Sequence, residues 1–318
     1  MKTKLEPEDL NLATLAAQYS DENKARALFE SWRWPDGPVC PHCKNHKQKP
    51  IYKMESKPGT KEANRIRPGL YCCGACRKTF TAKVGTVLSD SHIPISKWLM
   101  AMFILCSSKK SISAHQMHRM IGVTYKTAWF LCHRIRYAMG TDPNAPKLTG
   151  TVEADETFIG GKGDGKTKIL RQTPVVALIE RGGNMRTAVV SNVTQKNIGK
   201  ALNECVSKDA ILNTDEHLAY RQAGKQFKRH DTVVHSKYEY SRMLEDGTKA
   251  GINSCESFFS LLKRGVHGSW HHVSREHLPK YAGEFAFRWN HRSVTDGERT
   301  KAAVGMTEGK RLTYRQVI

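Results

Sequence analysis

The chain has 318 residues, enough for two or three domains that each bury a core, and its 51 Lys+Arg against 30 Asp+Glu leave a net charge of +21. An excess of that size points to a polyanionic partner, nucleic acid ahead of an acidic membrane surface. No apolar run is long enough to span a bilayer, and the first residues lack the apolar core of a signal peptide, so the expected location is the cytoplasm, with no membrane partner.

The nine cysteines fit a reducing compartment. Four form two C-x-x-C pairs, while Cys106, Cys132, Cys205 and Cys255 sit singly among apolar neighbours and read as small core residues.

In chain order, residues 9 to 34 read as one or two short helices stopped by the turn residues Pro35-Asp36-Gly37. Cys40-Pro41-His42-Cys43 and Cys73-Gly74-Ala75-Cys76 then read as two knuckles, each offering two thiolates to one tetrahedral zinc. Two knuckles make a zinc ribbon, although Lys44 to Cys72 is a longer spacer than the ~15 to 20 residues of the common pattern. Residues 51–54 and 69–72 are its candidate strands. Cys72 rivals Cys73, but Cys73 alone keeps the C-x-x-C spacing with Cys76; His42 and His46 read as surface residues. The ribbon's functional reading is DNA end contact, set against a plain folding staple.

Helical periodicity resumes with Trp98, Leu99, Met102, Phe103 and Leu105 on one face. A helix over 111–120, a tight turn at Ile121-Gly122-Val123 and an N-cap at Thr124 introduce a second helix carrying Ala128, Leu131, Cys132, Ile135 and Met139 on one side. This is helix-turn-helix grammar, though plain helical hairpins share it. Its DNA-reading version puts Tyr125, Lys126 and Thr127 into the major groove, with Arg134 and Arg136 nearer the phosphates. The turn-rich stretch 141–146 marks a boundary.

From 150 onward the pattern is α/β. Strands are expected at 150–158, 173–180, 185–191 and 210–214, with a hairpin at Arg181-Gly182-Gly183-Asn184 and a helix at 195–206. Three strands, a helix and another strand give a mixed sheet, not a repeated βαβ unit, and Gly160 to Lys166 matches neither a phosphate loop nor a dinucleotide fingerprint. The first strand carries Glu153, Asp155 and Glu156 where a core strand carries apolar residues. An edge strand wearing charge would account for one such strand. Two further acids, Asp215 at the end of an apolar run and Glu256 on a helix over 252–265, allow carboxylates from three elements to converge on metal. Around that helix Asn253, Glu256, Ser260 and Lys263 share a polar face, opposite Cys255, Phe258, Phe259, Leu261 and Leu262. Beyond it, 268–292 mixes cations with aromatics, and 293–318 offers no motif.

The succession of zinc ribbon, helix-turn-helix, Glu153-Ala154-Asp155-Glu156-Thr157-Phe158-Ile159-Gly160-Gly161-Lys162, Thr214-Asp215-Glu216, Asn253-x-x-Glu256-Ser257-Phe258-Phe259-Ser260-Leu261-Leu262-Lys263-Arg264 and His271-His272-Val273-Ser274 resembles bacterial insertion-sequence transposases of the DDE class with a zinc-ribbon front end. The resemblance spans about Leu10 to Arg292. It implies an RNase H-like catalytic domain with Asp155, Asp215 and Glu256 as the three acids and Lys263 as the basic residue after the last. Glu153 is the nearest rival to Asp155, because strand alternation puts both on one face and Glu156 on the other; Glu216 rivals Asp215.

The implied layout is an N-terminal helical segment (1–36), a zinc ribbon (37–83), a helix-turn-helix domain (84–141), a catalytic domain (148–292) and a tail (293–318). The implied cofactors are two Mg²⁺ or Mn²⁺ about 4 Å apart, bridged by Asp155 and held singly by Asp215 and Glu256, plus one structural zinc. Lys263 would grip a phosphate, and Lys162, Arg264, His271 and His272 join the expected DNA contacts. The partners are terminal inverted repeats and target DNA, bound by at least a dimer because there are two ends, in the bacterial nucleoid. Water frees a 3′-hydroxyl, which then attacks target DNA with no covalent protein intermediate. A zinc-ribbon regulator without catalysis and a metal-dependent nuclease are the rival classes.

Overall fold

The computed structural model describes residues 6–55, 66–161, 172–234, 236, 239 and 241–317. The chain forms two compact units, one of residues 1–139 with 293–318 and one of residues 140–292.

In the first unit, α1 (Leu12–Tyr19) and α2 (Glu22–Arg33) start at Asn11 and Asp21, whose side chains accept the free N–H groups of each first turn. The ribbon is a three-stranded antiparallel sheet of β1 (Ile51–Met54), β2 (Leu70–Cys73) and β3 (Thr79–Phe80). Trp34, Tyr71 and Phe80 pack ring to ring beneath it. The helix α3 (Ile95–Ser107) is buried nearly throughout.

Next come α4 (Ala114–Ile121), Gly122 in the left-handed conformation (φ 62°), and α5 (Tyr125–Met139). The residues after 292, featureless in sequence, form α10 (Asp296–Gly305), which packs on α3, α2 and the 3-10 turn Pro7–Asp9. A Cβ at Gly297 would lie 1.8 Å from the carbonyl of Pro7, so that crossing requires glycine.

The second unit holds a five-stranded sheet of β4 (Thr151–Gly160), β5 (Gln172–Glu180), β6 (Met185–Val189), β7 (Ile211–Thr214) and β8 (Arg229–Thr232), in spatial order β6-β5-β4-β7-β8. The first three are antiparallel, while β7 and β8 run parallel to β4. This order and sense are RNase H-like. Val152, Ala154, Val176, Leu178 and Leu212 pack on one face beneath α6 (Gln195–Cys205) and α7 (Leu218–Gly224). Ile159, Val175, Ala177 and Ile179 pack on the other beneath α8 (Asn253–Gly265) and α9 (Leu278–Asn290), as period-2 alternation requires. Asn290 pins α9 to β6 by bonding both the N–H and the carbonyl of Met185. A hairpin, β9 (Ser241–Met243) with β10 (Lys249–Gly251), separates β8 from α8.

Among the described residues no helix is long and apolar enough to cross a membrane.

Candidate active site and zinc cluster

The ribbon's four cysteines come together. Cys40 and Cys76 have their sulfurs 3.7 Å apart, as do Cys43 and Cys73, and all four sulfurs lie within 4.8 Å of one another. A zinc tetrahedron with bonds of about 2.3 Å has edges of about 3.8 Å, so the donors fit the ion. In each knuckle the residue after the second cysteine turns left-handed, Lys44 at φ 59° and Arg77 at φ 58°, and donates its N–H to the first cysteine's carbonyl. Cys72 stands outside the cluster, its sulfur 4.0 Å from the carbonyl of Arg77. His42 and His46 are outside as well, each ring reaching a backbone carbonyl.

The acids of the second unit are placed by strand register. Glu153 on β4 pairs with Asn213 on parallel β7. Two residues further along the chain come Asp155, still on β4, and Asp215, just past the end of β7, and Asp155 faces the side that α8 covers. On α8, Cys255, Phe258, Phe259 and Leu262 are buried, which leaves Asn253, Glu256, Ser260 and Lys263 on the exposed face.

Burial lifts the Asp155 carboxyl to about 7, and the charges of Asp215, Glu156 and Glu256 push the same way against a bond from the N–H of Glu156 (2.7 Å). The negative charges of Asp215 and Glu256 thus both reach Asp155. Cys255, on the buried side of α8, is pushed well above the usual thiol range by burial and then by Asp155, Glu153 and Glu256. Among the described residues the four cysteines are the group of three or more His, Cys, Asp or Glu placed to hold a metal ion, and the three acids are not gathered into such a group.

The rival acids have other partners. Glu153 is 3% exposed; its Oε1 accepts from Arg181 Nε (3.1 Å) and Nη2 (2.9 Å), and its Oε2 from the backbone N–H of Ser254 (2.8 Å). Glu156 points to the opposite face and accepts the Tyr220 hydroxyl at 2.7 Å. Burial raises its carboxyl too, with that hydroxyl pulling the other way. Glu216 accepts the N–H of Ser236. Neither Arg181 nor Tyr220 was singled out in the sequence. Arg181 lies in a turn with no motif, and the one signal for Tyr220 is a hydroxyl on the apolar side of a short helix.

The expected DNA contacts divide. Tyr125 and Lys126 are exposed at the start of α5, Tyr125 stacked on His115 at 4.1 Å. Thr127 is half-buried and bonded to Thr124 in the helix cap. Arg264 is exposed and folds back on Ser260. His271 and His272 are exposed past the end of α8, His271 with φ 60°. Lys162 lies outside the described residues.

Arg134 and Arg136 require correction. They are 6% and 1% exposed, not on the surface. Arg134 donates to the carbonyls of Leu312 and Ser89, and Arg136 to the carbonyl of Ile112 and the hydroxyl of Ser111. Helical spacing put them beside a DNA-facing surface, whereas the helix turns that side into the core of its unit.

Residues 147–290 match the ISXO2-like transposase domain, and residues 20–79 match the transposase zinc-ribbon domain. The chain is 27% identical over 293 residues to an uncharacterized protein in the transposable element ISH50 of Halobacterium salinarum, covering 85% of this chain and 91% of that one. Among solved structures, a chain of the simian T-cell lymphotropic virus intasome in complex with the PP2A regulatory subunit B56 gamma overlaps 57% of this chain and 66% of its own length, just under two thirds. It does so at 14% identity and a TM-score of 0.27, too loosely to bear on the fold. The transposase match holds the acid-bearing sheet and α8, and the ribbon match holds all four clustered cysteines. The chain thus carries an ISXO2-like transposase domain over 147–290 behind a transposase zinc ribbon over 20–79.

Proposed function

We propose that residues 140–292 catalyse DNA strand transfer, with Asp155, Asp215 and Glu256 holding two divalent cations, Mg²⁺ or Mn²⁺. The observation that carries this reading is half-buried Asp155, whose carboxyl burial lifts to about 7, with the charges of Asp215, Glu156 and Glu256 adding to the rise. A buried carboxyl facing further negative charge favours a proton or a cation, and carboxylate oxygens are the hard donors that Mg²⁺ and Mn²⁺ prefer. Bound there, such cations supply activation of the attacking oxygen and charge neutralisation at the leaving one.

The chain's own residues bind and orient. Lys263, two turns beyond Glu256 on the exposed face of α8, contacts a phosphate near the element's end. The first unit holds terminal inverted-repeat DNA through the ribbon and the start of α5, at Tyr125 and Lys126. In the first step a water oxygen attacks phosphorus and the P–O3′ bond breaks, leaving a 3′-hydroxyl and a 5′-phosphate. In the second step that 3′-oxygen attacks a phosphorus of target DNA, the target's P–O3′ bond breaks, and the departing 3′-oxygen takes up a proton. Two ends must be held together, so the working form is a dimer or larger on DNA.

The test is strand transfer by the purified protein with Mg²⁺ or Mn²⁺, the DNA ends flanking its gene and a supercoiled plasmid, beside Asp155→Asn. Joined product that needs the metal and vanishes in the variant is expected. Selective binding with neither nicking nor joining would favour a DNA-binding regulator, and cleavage without joining a nuclease.

A further inference from the structure

We propose that Glu153, Arg181 and Asn213 form a positioning layer beneath the three acids, with Glu153 the group that fixes the helix of Glu256 against the strand of Asp155. The proposal rests on the reading of Asp155, Asp215 and Glu256 as the cation-holding set, and it assigns no ligand role to Glu153.

Two residues before each acid in the chain stands a member of this layer or its direct partner: Glu153 before Asp155, Asn213 before Asp215, and Ser254, which Glu153 binds, before Glu256. These three residues meet. Glu153 and Asn213 are register partners on parallel strands, and Glu153 Oε2 accepts the Ser254 N–H at 2.8 Å. Arg181 closes the layer by donating to Glu153 Oε1 and, through Nη1, to the carbonyl of Lys249 at 2.6 Å. The carbonyl of Gly251 receives both Arg181 Nη2 and Asn213 Nδ2 at 3.5 Å. Gly251 ends β10 and immediately precedes Ile252, the N-cap residue of α8.

The helix itself explains why the carboxylate must come from elsewhere. The N-cap of α8 is isoleucine and makes no side-chain bond to the first turn. An N–H group of that turn lacks an intrahelical partner, and Glu153 supplies it from the neighbouring strand. The anion also suits the positive end of the helix dipole.

Both Glu153 oxygens are therefore engaged, which separates this residue from Asp155 on the same face of the strand. A staple that only closed the fold could join any two elements. This one joins the three that carry the acids, two residues before each in the chain, so a shift of Glu153 changes the spacing among the acids.

The test uses the full-length, zinc-loaded protein with Glu153→Gln, Arg181→Ala and Arg181→Lys beside Asp155→Asn. Mn²⁺ binding is followed by calorimetry, binding to the element's DNA ends by mobility shift, and the fold by circular dichroism. Glu153→Gln and Arg181→Ala are expected to keep fold and DNA binding while weakening Mn²⁺ binding by about 10- to 100-fold, with strand transfer partly recovered at high Mn²⁺. Arg181→Lys, which keeps the charge, should recover part of the loss caused by Arg181→Ala.

Unchanged Mn²⁺ affinity in variants that merely melt earlier would overturn the proposal and leave a plain staple. Complete loss of Mn²⁺ binding in Glu153→Gln, as in Asp155→Asn, would overturn it in the other direction by making Glu153 a ligand. If Glu153→Gln does not fold, the Arg181 variants decide by the same readouts. Failure of the cation reading itself shows separately, as unaltered Mn²⁺ binding by Asp155→Asn.

Discussion

Tyr220 donates its hydroxyl to Glu156 at 2.7 Å on the face of the sheet away from α8. The bond explains how a strand can carry three acids at 153, 155 and 156 with only one of them left for chemistry. Burial and Glu156 together hold the Tyr220 hydroxyl protonated far beyond the usual phenol range, so it remains a donor. Tyr220→Phe leaves Glu156 without that donor and should lower stability by about 1–3 kcal/mol, read by urea denaturation, while strand transfer by the folded fraction stays near wild type. A transfer defect without a stability defect would move Glu156 into the reaction.

Asp155→Asn and Glu256→Gln should reduce strand transfer by roughly 10³-fold or more, the scale of removing a group that stabilises transition-state charge. Binding to the DNA ends should persist, because neither acid belongs to the unit proposed to hold those ends. Lys263→Ala should show chiefly as a weaker apparent affinity for DNA and a shallower salt dependence, since one phosphate contact is lost. Assays of transfer and of binding across a salt series separate these outcomes.

The pH dependence follows from Asp155. Its carboxyl rises from an ordinary 3.8 to about 7 in the folded protein, so the fold takes up a proton that the unfolded chain releases. That contribution to stability is present below about pH 4 and is lost as pH rises through about 7. A divalent cation competes with this proton. The rise in Tm caused by Mg²⁺ should therefore be small near pH 5 and larger near pH 8; an equal rise at both would mean that Asp155 is not a ligand.

The four cysteines make a separate prediction. Cys73→Ser, or chelation of zinc, should unfold the ribbon, because small zinc modules draw most of their folding free energy from the ion. Cys72→Ser should change stability by less than about 0.5 kcal/mol, its sulfur lying against the carbonyl of Arg77 and not in the cluster. Zinc content per chain and the melting curve of each variant test the distinction between adjacent cysteines.

Local signals account for what the sequence made readable. The apolar run at 173–180 sits between two helical layers, the knuckle spacing is fixed by one ion, and the buried and exposed sides of α8 follow helical periodicity. What was missed depends on distant partners or on weak patterning. Arg229-His230-Asp231-Thr232 forms an edge strand with no apolar face, held by side chains: Arg229 binds Asp231 and reaches Asp246 and Thr248 in the β9–β10 hairpin. The chain after 292 holds few large apolar residues, yet Gly297 lets α10 come close to Pro7. Nothing near Glu153 in sequence announces Arg181, 28 positions away.

The arginines of α5 show the same limit and yield the last prediction. Arg134 reaches a carbonyl 178 positions along the chain and another 45 positions back, so no window of sequence around it could show that its charge is spent inside. Burial lowers its pKa, with Asp90 opposing, and the guanidinium stays charged by bonding carbonyl oxygens. Arg134→Ala and Arg136→Ala should each destabilise the first unit by about 1–3 kcal/mol for every buried acceptor left unsatisfied. Lys126→Ala, at an exposed position on the same helix, should leave the melting curve unchanged and flatten the salt dependence of DNA binding by about one counterion. If Arg134→Ala instead kept its stability and lost DNA affinity, the buried guanidinium would have to reach DNA after all, and α5 would need to turn a different face outward.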